Sequence, residues 1–184
     1  MLWIILIIVV LLILFIISAY NSLVTLRQRV KNAFGQMDVQ LQRRFDLIPN
    51  LVETVKGYMT HESDTLAKVT ELRTAWSGAK TVDEKAKLDN ELSNTLKTIM
   101  AVAEAYPDLK ANQNFASLQK ELTETEDKIS YSRQFYNDTV TRYNTKLELF
   151  PSNIIAGMFH FTAESLFEVD SAEARKNVKV DFNK

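Results

Sequence analysis

Apolar residues dominate the start of the chain and then recur at helical spacing. Residues 2–17 form an unbroken run of Leu, Ile, Val, Phe and Trp, residues 18–26 carry no charge, and Arg27 is the first charged residue. About 20 apolar residues in a helix span the roughly 30 Å hydrocarbon core of a bilayer. The pattern therefore predicts a transmembrane anchor over residues 1–26.

A cleaved signal peptide is the alternative interpretation of this segment. Such peptides carry basic residues before a short apolar core and a small-x-small motif after it. No Lys or Arg precedes this run, and the best candidate motif, Ile17-Ser18-Ala19, has a β-branched residue where a small one is required. These features favour a retained anchor. The chain contains no Cys, which excludes a lipoprotein anchor.

Basic residues close to a span set its orientation in the membrane. Arg27, Arg29 and Lys31 follow the span, with Arg43 and Arg44 beyond them, and the N-terminal side offers only the α-amino group. This distribution predicts an outer N-terminus and a cytoplasmic domain. The same cations could instead bind anionic lipid headgroups from either side.

Beyond Arg27, apolar residues at steps of three and four predict one buried stripe on a long helix. The stripe consists of Val30, Phe34, Met37, Leu41, Phe45, Ile48, Val52 and Val55, and continues through Met59, Leu66, Val69 and Trp76. Gly57 to Ser63 predicts a break, after which a shorter helix ends before Ser77-Gly78-Ala79. Pro49 predicts a kink, since a mid-helix Pro costs about 3 kcal/mol.

Two further helices are predicted downstream. Asp83 is the predicted N-cap of a helix over 84–105, and Tyr106-Pro107-Asp108 ends that helix because Pro lacks the amide donor. The last helix, over 114–149, carries a seven-residue repeat of the coiled-coil type. The repeat is Phe115, Leu122, Ile129, Tyr136 and Tyr143, and its companion row is Leu118, Thr125, Ser132 and Thr139.

These elements predict an all-α fold in which an N-terminal transmembrane helix precedes an antiparallel, up-and-down four-helix bundle over residues 27–149. The last helix then returns to the membrane side and leads into an apolar tail over 150–168. The tail could cap the bundle, lie in the headgroup layer or pack on an identical neighbour. Headgroup insertion is disfavoured because the tail contains no Lys or Arg, the next such residue being Arg175. Residues 169–184 are charged and predicted to be loosely ordered.

The composition offers little for catalysis. Four Gly and three Pro leave almost nowhere for a phosphate-binding loop, and a net charge of −1 disfavours nucleic acid as a partner. The two histidines, His61 and His160, form no Glu-x-x-His or His-x-x-x-His pattern, and the carboxylates are predicted to lie off the apolar stripes. We therefore expect no enzyme activity, no cofactor and no metal site.

Two groups of residues are candidate interaction surfaces. The first surrounds the predicted kink and consists of Arg43, Arg44, Asp46, Pro49 and Asn50. The second is the repeated pair Tyr136-Asn137 and Tyr143-Asn144, whose tyrosines would fill a core edge while the asparagines hydrogen-bond a neighbouring helix. Both groups are open to a purely structural interpretation as packing features.

Four ordered motifs resemble the LemA family of bacterial membrane proteins over essentially the whole chain to about Val169. The motifs are Tyr20-Asn21-Ser22-Leu23-Val24, Arg44-Phe45-Asp46-Leu47-Ile48-Pro49-Asn50-Leu51-Val52, Phe135-Tyr136-Asn137 with Tyr143-Asn144, and Phe150-Pro151-Ser152-Asn153. The resemblance implies a single-pass inner-membrane protein with a helical bundle, and supplies no established activity or cofactor. Its fixed points are Arg44, Asp46, Pro49, Asn50, Asn137, Asn144, Pro151 and Asn153.

The resulting hypothesis is a non-enzymatic, membrane-anchored scaffold or adaptor that binds lipid and self-associates. An alternative is an accessory subunit or regulator of a membrane-bound metalloprotease or other envelope protein, because family members are often encoded near such proteins. Copies are expected to meet at a membrane-proximal collar over Phe150–Phe161. The collar adds Ile154 and Phe159 to Pro151 and Asn153 as candidate contact residues.

Overall fold

The structure, a computed structural model, describes residues 1–59 and 61–168. The described residues contain seven helices. They are α1 (Leu2–Asp46), α2 (Ile48–Lys56), α3 (Ser63–Trp76), α4 (Val82–Ala103), α5 (Pro107–Lys110), α6 (Gln113–Glu148) and α7 (Ser152–Met158). The predicted all-α class is confirmed. The prediction of a loosely ordered end over 169–184 lies outside the described residues.

The first helix is a single 45-residue rod that contains both the apolar segment and the first wall of the bundle. It ends at Asp46, and Leu47 separates it from α2, so the predicted long helix is divided earlier than Gly57. Pro49 lies in the first turn of α2. Backbone N–H groups in a first turn have no carbonyl partner within their own helix, so the missing N–H of proline costs no hydrogen bond there. The proline is therefore accommodated by starting a new helix.

The predicted break between Gly57 and Ser63 is confirmed, because α2 ends at Lys56 and α3 begins at Ser63. The N-cap of the next helix differs from the prediction. Thr81 caps α4 in place of Asp83: its hydroxyl accepts from the Glu84 amide, and the Glu84 carboxylate accepts from the Thr81 amide. This reciprocal pair satisfies two amides at once, whereas Asp83 lies one residue inside the helix.

Contacts between helices give the chain direction. The C-terminal end of α3 contacts the C-terminal end of α1. From there α4 runs beside α1 in the same direction, and α6 runs along α1 in the opposite direction. The contacts are the stacked rings of Trp76 and Phe45 (centroids 4.3 Å apart), Lys85 with Asp38, Arg44 with Asp89, Asn112 with Tyr58 and Phe34 with Tyr136. Successive long helices thus run in alternating directions.

Two apolar clusters hold the fold together. The main one runs through the bundle and uses the predicted stripe on α1 and α2, including Val30, Met37, Leu41, Phe45 and Val55. A smaller cluster joins Ala19 and Leu23 of α1 to Ile155 and Ala156 of α7. Burial of apolar area stabilises both, and the smaller cluster fixes α7 against the last turns of the anchor.

Candidate functional site

A buried arginine connects three helices near the middle of the bundle. Arg44 Nη1 donates to Asp89 Oδ1 at 3.0 Å and lies 2.7 Å from Glu126 Oε2, and Nη2 donates to Ser93 Oγ at 2.8 Å. Arg44 and Asp89 are both buried, while Glu126 is half exposed. The guanidinium hydrogen-bonds two acceptors on α4 and forms an ion pair with Glu126 of α6 without a hydrogen bond, so one side chain ties α1 to both helices.

Asp89 corrects the expectation that the carboxylates lie off the apolar stripes. It occupies the inner face of α4 between Ala86 and Leu92, at the three-residue spacing of that face. Burial raises the pKa of Asp89 to about 6; the positive charges of Arg44 and Arg133 oppose this rise, and the negative charge of Glu126 adds to it. The cluster is therefore a buried ion pair, Arg44 with Asp89, in which desolvation outweighs the attraction of the nearby cations for the Asp89 carboxylate.

We expect Asp89→Asn to remove a pH-dependent part of the stability. Because the folded pKa of about 6 exceeds the ordinary 3.8, the folded chain keeps a proton that the unfolded chain has released. The stabilisation by protonated Asp89 is complete below pH 3.8 and is lost as the pH rises through about 6. The free energy of unfolding of the wild type relative to Asp89→Asn should fall by about 2 kcal/mol between pH 4.5 and 7.5.

Urea unfolding of the full chain in detergent at the two pH values measures this difference. Asp127→Asn is the matched control, because it neutralises an exposed carboxylate on α6. A difference between wild type and Asp89→Asn that stays constant with pH would contradict the prediction.

The repeated Tyr-Asn pairs on α6 hold an extended segment of the chain's own tail. We call residues 161–168 the strap. Asn144 donates to the Glu164 carbonyl at 2.9 Å and accepts from the Glu164 amide at 3.0 Å, and Asn137 makes the same pair of bonds with Phe167 at 3.2 and 2.9 Å. The side-chain amide of each asparagine thus pairs with both the N–H and the C=O of one strap residue, as the backbone of a neighbouring β-strand does.

The tyrosines add a second row of bonds to the strap. The Tyr143 hydroxyl donates to the Thr162 carbonyl at 3.0 Å, and the Tyr136 hydroxyl donates to the Ser165 carbonyl at 2.8 Å. Burial raises the pKa of Tyr136 to about 12 and also raises the pKa of Tyr143, so both hydroxyls stay protonated donors at physiological pH.

The spacing of these pairs matches the two backbones. Seven residues of helix rise about 10.5 Å, and three residues of extended chain cover about 10 Å. Asn144 and Asn137 are seven apart on α6, while their partners Glu164 and Phe167 are three apart on the strap. The heptad-spaced Tyr-Asn motif is therefore a ladder that binds an antiparallel extended segment through its backbone.

Chain direction changes sharply between α7 and the strap. His160 adopts a left-handed φ of 55°, which His tolerates better than most non-glycine residues. Phe161 then packs edge-on against Tyr20, with ring centroids 5.7 Å apart, and the Arg27 guanidinium lies 4.9 Å from the Phe161 centroid. The start of the strap is thus fixed to α1.

The other candidate residues are divided between the surface and the interior. Arg43, Asp46, Pro49 and Asn50 are exposed around the α1–α2 junction, and Asp46 accepts a bond from Gln42 at 2.8 Å. Near α7, Pro151 is half-buried, whereas Asn153, Ile154 and Phe159 are exposed. Arg44, Asn137 and Asn144 bind within the chain itself.

Two surface depressions on the described part of the bundle are lined by a mixture of polar and apolar side chains. One of about 570 Å³ lies between α2 and α6 and is lined by Asn50, Asn112 and Glu121 among others. A groove of about 370 Å³ between α4 and α6 has Arg44 and Ser93 with the apolar side chains Leu96 and Met100. His61 is exposed, and no group of three His, Asp or Glu within residues 1–59 and 61–168 could hold a metal ion.

Comparison with known proteins gives one family and several relatives. The LemA family profile matches residues 33–182. Protein LemA of Metamycoplasma hominis is 26% identical over 157 residues, covering 83% of this chain and 70% of its own length. Magnetosome protein MamQ 2 of Paramagnetospirillum magneticum is 24% identical over 179 residues, covering 83% and 66%.

A further relative is magnetosome protein MamQ of Magnetospirillum gryphiswaldense, which is 22% identical over 178 residues and covers 83% of this chain. The chain spans about two thirds of the length of these curated relatives, from 65% to 70%. The family match covers the bundle, α7 and the strap, and begins at Ala33, beyond the apolar segment.

Proposed function

The chain belongs to the LemA family, and on that premise we propose that it is a non-enzymatic scaffold that self-associates at the bacterial inner membrane. The observation that carries the proposal is the continuity of α1. Its large apolar side chains from Leu2 to Phe15 are exposed, and the same helix becomes a wall of the bundle from Val30. The apolar segment and the bundle wall are parts of one continuous helix, so the anchor would hold the bundle in a fixed orientation at the lipid surface.

The proposed topology is a single span with the bundle in the cytoplasm. Arg27, Arg29 and Lys31 follow the apolar segment within one and a half turns, and basic residues concentrate on the cytoplasmic side of bacterial spans. Confining copies to a membrane raises their effective concentration, which favours even modest contacts between them.

We place the contact between copies on the face that α1 and α6 share. Tyr131 and Phe135 of α6 are large, apolar and exposed there, and with Ala33 and Gln36 of α1 they line a depression of about 220 Å³. Val39 is a further large, apolar and exposed residue of α1. Large apolar side chains grouped on an otherwise charged bundle are typical of protein contacts. A second copy fits this face because every copy in the membrane carries it at the same height.

We expect the purified full chain to form a defined oligomer in mild detergent, and Val39→Asp with Phe135→Asp to reduce it to monomers. Charges introduced at the centre of an apolar contact must be desolvated without a partner, which opposes association. Light scattering coupled to size exclusion, with the detergent mass subtracted, measures the change.

Ala67→Asp is the control for the effect of one added carboxylate, because it introduces an Asp at an exposed position on α3. It should leave the mass unchanged. A wild-type chain that is monomeric at every concentration tested would contradict self-association.

A second candidate function is regulation of a membrane-bound protease. It is supported by the exposed group Arg43, Asp46, Pro49 and Asn50 at the helix junction, which lies apart from the α1–α6 face. Photo-crosslinking in cells separates the two: a crosslinker at Asn50 would capture the protease, whereas one at Phe135 would capture a second copy.

A further inference from the structure

We propose that α7, with Phe150 and Phe159 at its ends, inserts into the interfacial layer of the bilayer beside the anchor. The exposed side of this segment is mostly apolar, with Asn153 as an exposed polar residue in α7. Phe150 is 80% exposed, Ile154 53% and Met158 61%, and Ile154 and Met158 lie four residues apart on one face of the helix. No Asp, Glu, Lys or Arg occurs between Glu148 and Glu164.

The height of α7 along the anchor follows from its buried side. Ile155 and Ala156 pack on Ala19 and Leu23 of α1. The unbroken apolar run ends at Ile17 and the first charge is Arg27, so the membrane boundary lies between these two residues. Nine residues of helix rise about 13 Å, which covers the polar layer and the edge of the hydrocarbon. Because α7 contacts the middle of this interval, it lies at the boundary.

The aromatic and charged residues around α7 have the order that an interface requires. Tyr20 contacts Phe159 with ring centroids 4.8 Å apart, and tyrosines are enriched where lipid meets water. Arg27 lies over Phe161, farther from the apolar end of α1, at a height suited to lipid phosphates.

Packing supplies the cation that the sequence of the tail lacks for insertion into the headgroup layer. The tail carries no Lys or Arg of its own before Arg175, but a cation that another helix holds at the same height is attracted to anionic lipid in the same way. Here Arg27 of α1 is brought against Phe161 by packing. The collar that the sequence assigns to contact between copies therefore has lipid as its neighbour.

Spin labels test this placement, and the chain suits them because it contains no Cys, so each introduced cysteine is unique. Single cysteines at Ile154 and Met158, both exposed, would carry a nitroxide in the full chain reconstituted in phosphatidylcholine–phosphatidylglycerol vesicles. Collision with oxygen reports apolar surroundings, and collision with a polar nickel complex reports water. Nickel accessibility at both positions should be about fivefold lower than at Ala67→Cys on α3, because the polar complex is excluded from apolar layers.

Two other results would overturn the inference. Nickel accessibility equal to that at Ala67 would mean that water covers α7. Low accessibility to both reagents, with dipolar broadening between labels, would mean that a second copy covers it. The inference rests on the anchoring proposed above, and Val9→Cys tests that premise separately. If Val9 reports the bilayer interior and Ile154 does not, anchoring stands and this inference fails.

Discussion

Replacing Arg44 with Leu should lower the free energy of unfolding at pH 7.5 by about 3 to 5 kcal/mol, the range for removing one partner of a buried ion pair. The loss arises from Asp89, which is left buried without its counter-ion, and from Ser93, which loses its donor. Glu126 contributes less, because its half-exposed carboxylate can turn to water.

The measurement is urea unfolding of the full chain in detergent, followed by fluorescence. The chain has two tryptophans, so a Trp3→Phe background leaves Trp76 as the single reporter. Trp76 stacks on Phe45, the residue next to Arg44, and its emission therefore reports the same part of the bundle.

Arg43→Leu is the control, because it removes the same charge from an exposed position one residue away. It should change the stability by no more than about 1 kcal/mol. An Arg44→Leu variant as stable as Arg43→Leu would show that the buried pair contributes nothing. Arg44→Leu combined with Asp89→Leu should recover part of the loss, since two apolar side chains leave no buried charge.

The bundle could be predicted in large part because its information is local. Steps of three and four identify the stripe on α1 and α2, and its members Met37, Leu41 and Phe45 are all buried. On α4 the buried face contains Asp89 between Ala86 and Leu92, and it continues through Leu96 and Ile99. Because a hydrophobicity pattern assigns an aspartate to the surface, the sequence does not identify Asp89 as part of this buried face.

The candidate site was less predictable because its partners are far apart in sequence. Arg44 and Asp89 are 45 residues apart, and each resembles a solvated charge until the helices are packed. The strap has no regular spacing of apolar residues, so its own sequence does not predict that it packs on the bundle. The repeated Tyr-Asn pair was the one available signal, and its use depends on a segment 20 to 30 residues downstream.

The strap also connects the membrane end of the fold to its core. Phe161 contacts Tyr20 and Arg27 near the anchor, while Phe167 is part of the main apolar cluster. Between them, four side chains of α6 bind the backbone of the strap. The strap also reaches α4, where Asn90 donates to the Glu168 carbonyl at 3.2 Å. Because the strap contacts α1, α4 and α6, its loss should destabilise all three helices.

Phe167→Ala is expected to lower the free energy of unfolding by about 3 kcal/mol or more, as for other fully buried aromatic side chains. Phe167 is 1% exposed, whereas its neighbour Leu166 is 40% exposed, so Leu166→Ala is a matched control that should cost less than about 1 kcal/mol. Urea unfolding with Trp76 as reporter measures both variants.

Hydrogen exchange shows whether the strap leaves its site in Phe167→Ala. The amides of Glu164 and Phe167 donate to Asn144 and Asn137, and both should lose protection if the strap detaches, while amides in the middle of α6 keep theirs. The pKa of Tyr136, which burial raises to about 12, should then fall towards its ordinary value of 10.0 because the hydroxyl meets water. If Phe167→Ala instead retains the protection of both amides and the raised pKa, the asparagine ladder holds the strap without the aromatic anchor, and backbone recognition by Asn137 and Asn144 is sufficient.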